Sequence, residues 1–164
     1  MDIDVRASAI EGLGLFAAQP YRAGDRIRRV NVLREVTPDR PLRPEAGERA
    51  DHCDYPDGKV LLIGPPDCYL NHRCDPNAYL FYELESSFIV ARRDIAVGDE
   101  ITCDYSINLT GGDTWPCHCG ATRCRGSVTG DFFGLPEALQ REYRPLLADW
   151  FVRSHRDRFE EGRV

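Results

Sequence analysis

Short runs of β-branched and aromatic residues recur along the chain, and residues that favour turns separate them. The runs that we predict to be strands are residues 27–36, 59–63, 78–84, 88–95 and 101–105. Only Glu85, Ser86 and Ser87 lie between the third run and the fourth, which favours a hairpin with a short polar loop. The pattern therefore predicts a mostly β fold with short helices.

Two segments do not follow this strand pattern. Residues 37–58 are rich in Pro, Arg, Asp and Glu without a regular period, so we expect an exposed insert with about one helical turn. Pro136 suits the first turn of a helix that runs to about Arg144, and Pro145 suits the start of a second helix. The second helix would carry four apolar side chains on one face: Leu146, Leu147, Trp150 and Phe151.

The composition of the chain limits the classes of protein to which it can belong. The chain has 164 residues, of which 42% are hydrophobic, and this is enough for one core. No stretch approaches the ~18 continuous apolar residues of a membrane span, and no signal sequence is evident, so we expect an intracellular, cytoplasmic protein, or a nuclear one in a eukaryote. The formal net charge of -6 argues against direct nucleic-acid binding and suits a basic peptide partner.

The apolar face of the second C-terminal helix has two interpretations. We expect it to pack on the rest of the chain, which would make residues 131–164 a helical appendage. The alternative is that the C-terminal helices form a homodimer contact.

Seven cysteines without a secretory signal indicate metal ligands or free thiols rather than a disulfide framework. Cys117, Cys119 and Cys124 follow a Cys-x-Cys-x4-Cys pattern, which supplies three thiolate ligands for one Zn²⁺ within eight residues. The fourth ligand must come from another segment, and Cys68 and Cys103 are possible. His118 is a weaker candidate, because its position between two ligands points its side chain away.

Three further short strings carry candidate chemistry. They are Gly12-Leu13-Gly14, the run Asn71-His72-Arg73-Cys74-Asp75-Pro76-Asn77, and Glu100-x3-Asp104-Tyr105. The first is not a dinucleotide-binding fingerprint, since the third glycine is missing. In this order and at these separations, the three strings and the cysteine pattern resemble the signature of the SET-domain protein-lysine methyltransferases followed by a post-SET zinc module. The resemblance covers about residues 5–126.

The resemblance implies a β-clip fold with a pseudoknot, in which residues 71–77 thread beneath a loop near Tyr105. It divides the chain into a SET domain at residues 1–112, with residues 37–58 as its variable insert, a post-SET module at 113–130 and the helical appendage. The absence of a cysteine-rich region before the domain makes the chain similar to minimal, free-standing SET proteins.

The resemblance also implies S-adenosylmethionine (AdoMet) as cofactor and one structural zinc ion. The implied cofactor-binding residues are Gly12, Leu13, Gly14, Leu15, Asn71, His72, Tyr105, Trp115 and His118. The implied zinc ligands are Cys74, Cys117, Cys119 and Cys124. Glycine would let the backbone of the first string approach the cofactor. For His72 and Trp115, the alternative is a place in the core.

Tyr105 is the implied catalytic residue, and a strand-end aromatic in the core is its alternative. Methyl transfer to lysine needs a neutral amine, so an apolar channel must disfavour the ammonium, whose ordinary pKa is ~10.4. The candidate channel walls are Tyr69, Tyr79, Phe81 and Cys103. Cys103 stands where the family commonly has Phe or Tyr, and the smaller side chain predicts that multiple methylation is tolerated.

The implied substrate is a lysine-containing protein or peptide, such as a histone or another basic protein. Two other functions remain open at this point. One is a SET-like domain that binds a peptide without catalysis, and the other is a zinc-stabilised protein-interaction module. Cofactor binding and turnover separate the three hypotheses.

Overall fold

The computed structural model describes residues 2–84 and 86–161. The strands within these ranges are β1 (Ile3–Ala7), β2 (Leu13–Ala17), β3 (Arg26–Arg29), β4 (Val32–Glu35), β5 (Cys53–Asp54), β6 (Leu61–Ile63), β7 (Asn71–His72), β8 (Ala78–Glu83), β9 (Ser86–Ala91), β10 (Glu100–Cys103), β11 (Thr114–Pro116) and β12 (Ser127–Thr129). The α-helices are α1 (Glu137–Tyr143), α2 (Asp149–Ser154) and α3 (Arg156–Glu161). The fold is therefore mostly β with short helices, as predicted.

The strands form four small sheets. Their strand orders are β1-β2-β10-β7, β3-β9-β8, β4-β6-β5 and β11-β12. In the first sheet, β10 pairs antiparallel with β2 and parallel with β7. These pairings bring the Gly12 string, the Asn71 string and the strand that leads to Tyr105 to one place. They supply the crossing on which the predicted pseudoknot depends.

Several predicted strand boundaries were wrong. Residues 27–36 form two strands, because the chain leaves β3 at Val30 and enters a different sheet with β4. In the hairpin, Ser86 and Ser87 belong to β9, so the turn is shorter than predicted and includes Leu84 at φ +52°. Glu85 lies outside the described residues. The last predicted strand ends at Cys103, which leaves Tyr105 in the turn that follows.

The insert at residues 37–58 is more ordered than predicted. It contains three single turns of 3-10 helix (Pro44–Ala46, Ala50–His52 and Pro56–Gly58) and the strand β5. β5 pairs antiparallel with β6, so the end of the insert is part of a sheet. The Glu48 carboxylate accepts hydrogen bonds from Arg34 and Arg43, which hold its pKa at about 2. The insert is therefore held in one shape by ionised groups at neutral pH.

The apolar side chains form two main cores. The first lies among the sheets and includes Leu15, Ile89 and Ile101, all fully buried. The second is formed by the C-terminal helices around Phe132 and Phe151. Since aliphatic and aromatic side chains gain roughly 1.5–3 kcal/mol each on full burial, these clusters are the main stabilising term.

The C-terminal tail is helical. Its first helix, α1, lies within one residue of the predicted bounds at each end, but the second begins later than predicted. Pro145 lies in a single 3-10 turn (Arg144–Leu146), and the next α-helix begins only at Asp149. The tail packs on the sheets through Tyr82 and Ile107. No helix in the described ranges has the length and apolar character needed to cross a membrane. The homodimer contact stays a prediction.

Helix α1 also contacts the segment that carries Cys74. Tyr143 Oη donates a hydrogen bond to the Cys74 carbonyl at 3.4 Å. The Glu142 carboxylate accepts from both Arg92 and Arg123. The helical tail is thus joined to the cysteine-bearing loops by side chains from one turn of helix.

Candidate functional site

Four cysteines from two distant segments converge. The Sγ atoms of Cys74, Cys117, Cys119 and Cys124 all lie within 4.8 Å of one another. Cys74 follows β7, and the other three lie between β11 and β12. Among the described residues, the group includes neither Cys68, Cys103 nor the exposed His118, which were the rival fourth ligands.

Backbone N–H groups point at the sulfur atoms of this cluster. Cys74 N donates to Cys119 Sγ, Arg125 N to Cys74 Sγ, and Gly126 N to Cys124 Sγ, each at 3.4 Å. Burial raises the pKa of Cys119, but the N–H donors of Cys74 and Ala121 oppose it and the pKa falls to about 7. Burial raises the pKa of Cys74 and of Cys117, and a bound cation would offset that effect of burial. Four cysteine sulfurs in this volume fit a tetrahedral soft-metal site.

Asn71 joins the first two strings. Its Nδ2 lies 3.1 Å from the Glu11 carbonyl, 3.0 Å from the Leu13 carbonyl and 2.9 Å from Glu100 Oε1. The side chain is buried, so each of these donor contacts replaces one that water would otherwise make. Asn71 therefore fixes the turn around Gly12 against the start of β10.

The two glycines of the first string are required for different reasons. Gly12 has φ +45°, and nothing lies within 4 Å of the place where its Cβ would be. A Cβ on Gly14 would lie 2.3 Å from Glu100 Oε1, so the Glu100 carboxylate already occupies the space that a side chain at this position would need. Leu15 is fully buried in the core, which leaves only its backbone for the predicted cofactor contact.

This contrast predicts different effects for two alanine variants. The Glu100 carboxylate could move away from a new Cβ in Gly14→Ala, but it would then lose its hydrogen bonds from Ser8 and Asn71. We expect Gly14→Ala to lower the free energy of unfolding by about 2–3 kcal/mol. Gly12→Ala, the control, has only the positive φ to oppose it and should lose about 1 kcal/mol. Urea unfolding of both variants measures the difference, and equal losses would contradict the explanation.

His72 connects the turn at Tyr105 to the cysteine cluster. Its Nδ1 accepts from the Tyr105 N–H at 3.2 Å, and its Nε2 lies 3.4 Å from Cys74 Sγ. Burial lowers the pKa of His72 to about 4, so the ring is neutral at physiological pH. Since Nδ1 accepts, the single ring proton is on Nε2 and points at the sulfur.

Asp104 and Arg125 form a buried ion pair that no local sequence pattern predicts. The two guanidinium nitrogens of Arg125 donate to the Asp104 carboxylate at 2.7 and 2.9 Å, and the Asp104 side chain is fully buried. Asp104 therefore holds the turn that it precedes, and Glu100, which accepts from Asn71, holds the other end of the same string. The pair ties the turn at Tyr105 directly to the loop of Cys124.

Tyr105 lies between these strings and a large cavity. Its hydroxyl donates to the Leu70 carbonyl at 2.8 Å, its N–H donates to His72, and its ring is 5.3 Å from the His72 ring. Burial raises the pKa of Tyr105 well above its ordinary value, so the hydroxyl keeps its proton. The single hydroxyl proton is held by the Leu70 carbonyl, so Tyr105 offers a bound group a fixed oxygen that can accept a hydrogen bond, and it does not act as an anionic base.

The cavity has a volume of about 700 Å³. Tyr105, Trp115, Cys103 and Tyr79 border it. The described residues that border it do not include the Gly12 string, Asn71, His72 or His118. These lie at the start of β2, in β7 or in the cysteine loop, and their contacts with a cofactor stay a prediction.

Two of the predicted channel walls do not border this cavity. Phe81 is partly exposed on β8, with the Arg26 guanidinium 5.4 Å from its ring. Tyr69 does not border the cavity either, but its ring packs edge-on against His52, which does.

Comparisons with known proteins agree with this fold and these strings. The model of the SET-domain family matches residues 12–106. This is more than half of the chain, which therefore belongs to the SET-domain family.

Similar proteins carry methyltransferase names. The chain is 30% identical to histone-lysine N-methyltransferase ATX2 of Arabidopsis thaliana, over 87% of this chain and 14% of that protein. It is 31% identical to human histone-lysine N-methyltransferase 2B, over 75% of this chain and 5% of that protein. The chain thus spans a small part of these relatives. A crystal structure of a candidate histone methyltransferase from Plasmodium falciparum has the same fold, with a TM-score of 0.51 at 20% identity over 62% of this chain and 90% of that chain.

Proposed function

We propose that the chain is an AdoMet-dependent methyltransferase that acts on the lysine side chains of a histone or another basic protein. The position of Tyr105 carries the proposal, because one residue links the string of Asn71 and His72 to a cavity large enough for a side chain. The names of the SET-domain relatives support it.

The cofactor is proposed to lie on the side of Gly12, Asn71 and His72. The open space beside Gly12 leaves its backbone free to approach a ligand, which supports this placement. AdoMet, when bound, supplies an activated methyl group on a sulfonium. Trp115 borders the cavity from β11 and is 40% exposed, so it has free ring surface with which to cover a bound molecule.

The chain's own residues account for the remaining requirements of the reaction. The substrate amine must be neutral, aligned and shielded from water. Apolar walls near Cys103 and Leu80 disfavour the ammonium form and so help to release its proton. The Tyr105 hydroxyl, fixed on the Leu70 carbonyl, orients the groups that meet at the end of the cavity.

The four cysteines are proposed to hold one zinc ion. The four sulfurs and their three backbone donors fit a structural site with no open position. Cys74 follows the Asn71 string closely, and Cys117 is two residues from Trp115. An ion bound here would therefore hold the two segments that flank the proposed cofactor site.

The test of the function is a calorimetric titration of the zinc-loaded protein with AdoMet, followed by transfer of a labelled methyl group to core histones and to total ribosomal protein. Saturable binding and label on lysine are expected. Binding without transfer to any protein would favour the SET-like domain without catalysis. No binding in the presence of zinc would favour the zinc-stabilised interaction module.

Cys103 gives a prediction about the products. It is buried at the cavity wall, and a bulkier aromatic ring there would fill space beside the amine. We expect the wild type to form di- and trimethyl-lysine and Cys103→Tyr to stop mainly at monomethyl-lysine. Mass spectrometry of the modified substrate distinguishes these products. Only monomethyl product from the wild type at full conversion would contradict the prediction.

A further inference from the structure

The cavity beside Tyr105 has an acidic lining. Among the residues that the structure describes, no arginine or lysine borders it, whereas five aspartates do: Asp51, Asp54, Asp67, Asp104 and Asp113. Three of the five are paired with arginines that lie outside the cavity, namely Asp51 with Arg49, Asp67 with Arg28 and Asp104 with Arg125. Asp113 is exposed to solvent.

Asp54 differs from these four. It is half-buried, and both of its carboxylate oxygens accept from Tyr82 Oη at 3.0 Å. Oδ1 also accepts from the Tyr55 N–H at 2.9 Å. No arginine or lysine of residues 2–84 and 86–161 forms an ion pair with it. Burial raises the pKa of the Asp54 carboxyl, and only these hydrogen bonds oppose the rise. The protein thus places a carboxyl group in the cavity without a cation of its own, and a cation that binds beside it would oppose the effect of burial and favour the carboxylate.

The position of Asp54 is fixed by two elements. Asp54 is in β5, at the end of the insert, and Tyr82 is in β8 of a different sheet. Tyr82 is itself packed edge-on against Trp150 of the C-terminal helices. Both residues border the cavity together with Cys103 and Tyr105. The carboxylate is therefore a rigid part of the wall and not a mobile surface group.

We propose that Asp54, oriented by Tyr82, binds a positively charged side chain of the polypeptide substrate. The proposal rests on the proposed function in one respect, that the cavity receives a polypeptide. A buried carboxylate attracts an ammonium or guanidinium group more strongly than an exposed one does, and no cation of the cavity wall competes. The cation is either a basic neighbour of the target lysine on the same substrate or the ammonium of the target lysine before it gives up its proton, since a carboxylate beside the amine favours the charged form.

The test uses hexalysine as the probe and calorimetric binding to the zinc-loaded protein, with and without AdoMet. Asp54→Asn keeps the shape of the side chain and an oxygen that accepts from Tyr82, but it removes the charge. Asp57→Asn is the matched control, because Asp57 is exposed, belongs to the same insert and does not border this cavity. We expect Asp54→Asn to weaken hexalysine binding by about tenfold or more and Asp57→Asn to change it by less than about twofold.

Three results would overturn the proposal. In the first, the wild type binds hexalysine no more tightly than fully acetylated hexalysine. In the second, Asp54→Asn binds hexalysine as tightly as the wild type does. In the third, Asp54→Asn and Asp57→Asn lose the same amount of affinity for hexalysine. If Asp54 has only a structural role, Asp54→Asn lowers the unfolding midpoint without a selective loss of affinity for hexalysine. Failure of the proposed function gives a different result, since the wild type would then bind no AdoMet while the charge-dependent binding of hexalysine persists.

A second pair of peptides identifies the source of the cation. One has a single lysine between alanines, and the other has an added arginine beside that lysine. If Asp54 contacts the target lysine, Asp54→Asn lowers the affinity for both peptides by the same factor. If Asp54 contacts a neighbouring basic residue, Asp54→Asn lowers the affinity for the peptide with the added arginine and leaves the affinity for the other peptide unchanged.

Discussion

A Cys119→Ser variant is expected to lose its zinc ion and to bind AdoMet at least about tenfold more weakly than the wild type. Cys119 is buried in the cluster and accepts a hydrogen bond from the Cys74 N–H. Its sulfur would therefore join the two segments both through the zinc ion and through this hydrogen bond. Structural zinc contributes about 10–16 kcal/mol in small zinc-folded peptides, which is comparable with the whole stability of a domain. We therefore expect a large fall in the thermal midpoint as well.

The measurements are the zinc content of the purified protein, its thermal unfolding and its calorimetric affinity for AdoMet. Cys53→Ser is the control, since Cys53 lies in β5 outside the cluster and makes one weak contact, with the Arg49 carbonyl at 3.6 Å. It should keep one equivalent of zinc. If Cys119→Ser keeps its zinc, or if a chelator removes the metal without weakening AdoMet binding, the link between the two sites does not exist.

Tyr105→Phe is expected to lower the rate of methyl transfer by about 10²–10³ while AdoMet affinity changes by less than about threefold. The variant removes one hydroxyl and keeps the ring that packs on His72. The Leu70 carbonyl loses its donor, so a loss of about 1 kcal/mol in stability is expected in addition. The separation between an unchanged affinity and a lowered rate is what distinguishes a catalytic residue from a structural one.

Tyr21→Phe is the matched control for this variant. The Tyr21 hydroxyl also donates to a backbone carbonyl, that of Asp2, but it is not among the residues that border the cavity. Tyr21→Phe should lose similar stability and keep the full rate. Transfer by Tyr105→Phe at the wild-type rate would refute the role of Tyr105, and single-turnover measurements with saturating AdoMet would show it directly.

The sequence was most informative where a residue type has few uses. Three closely spaced cysteines predicted a cluster, but spacing alone could not choose among Cys68, Cys74 and Cys103 for the fourth member. Only the resemblance indicated Cys74, which the fold brings within 4.8 Å of the others. A contact between residues so far apart in the chain depends on how β7 and β10 pair, and no local pattern encodes that pairing.

Short elements and side-chain directions were predicted least well. β1, β11 and β12 are too short, or too polar on one face, to produce a clear period. Tyr79 and Phe81 lie two residues apart on β8, yet of the two only Tyr79 borders the cavity, and no local pattern distinguishes them. The two-residue strand β5 gave no signal, although it carries Asp54.

The ion pairs could not have been predicted at all. Asp104 and Arg125 look like ordinary surface charges in the sequence, and only the packed structure removes them from water. The need for glycine at position 14 could not be predicted from the sequence either, since it depends on Glu100, a residue of another strand.

The contacts of helix α1 bear on how this protein can be shortened for expression. A fragment that stops at Gly130 would contain every residue of the proposed reaction. It would also lack Tyr143 and Glu142, so the carbonyl of Cys74 and the guanidinium groups of Arg92 and Arg123 would each lose a hydrogen bond. The smallest useful recombinant fragment therefore extends through α1, and deletions for crystallisation are better placed after it than before it.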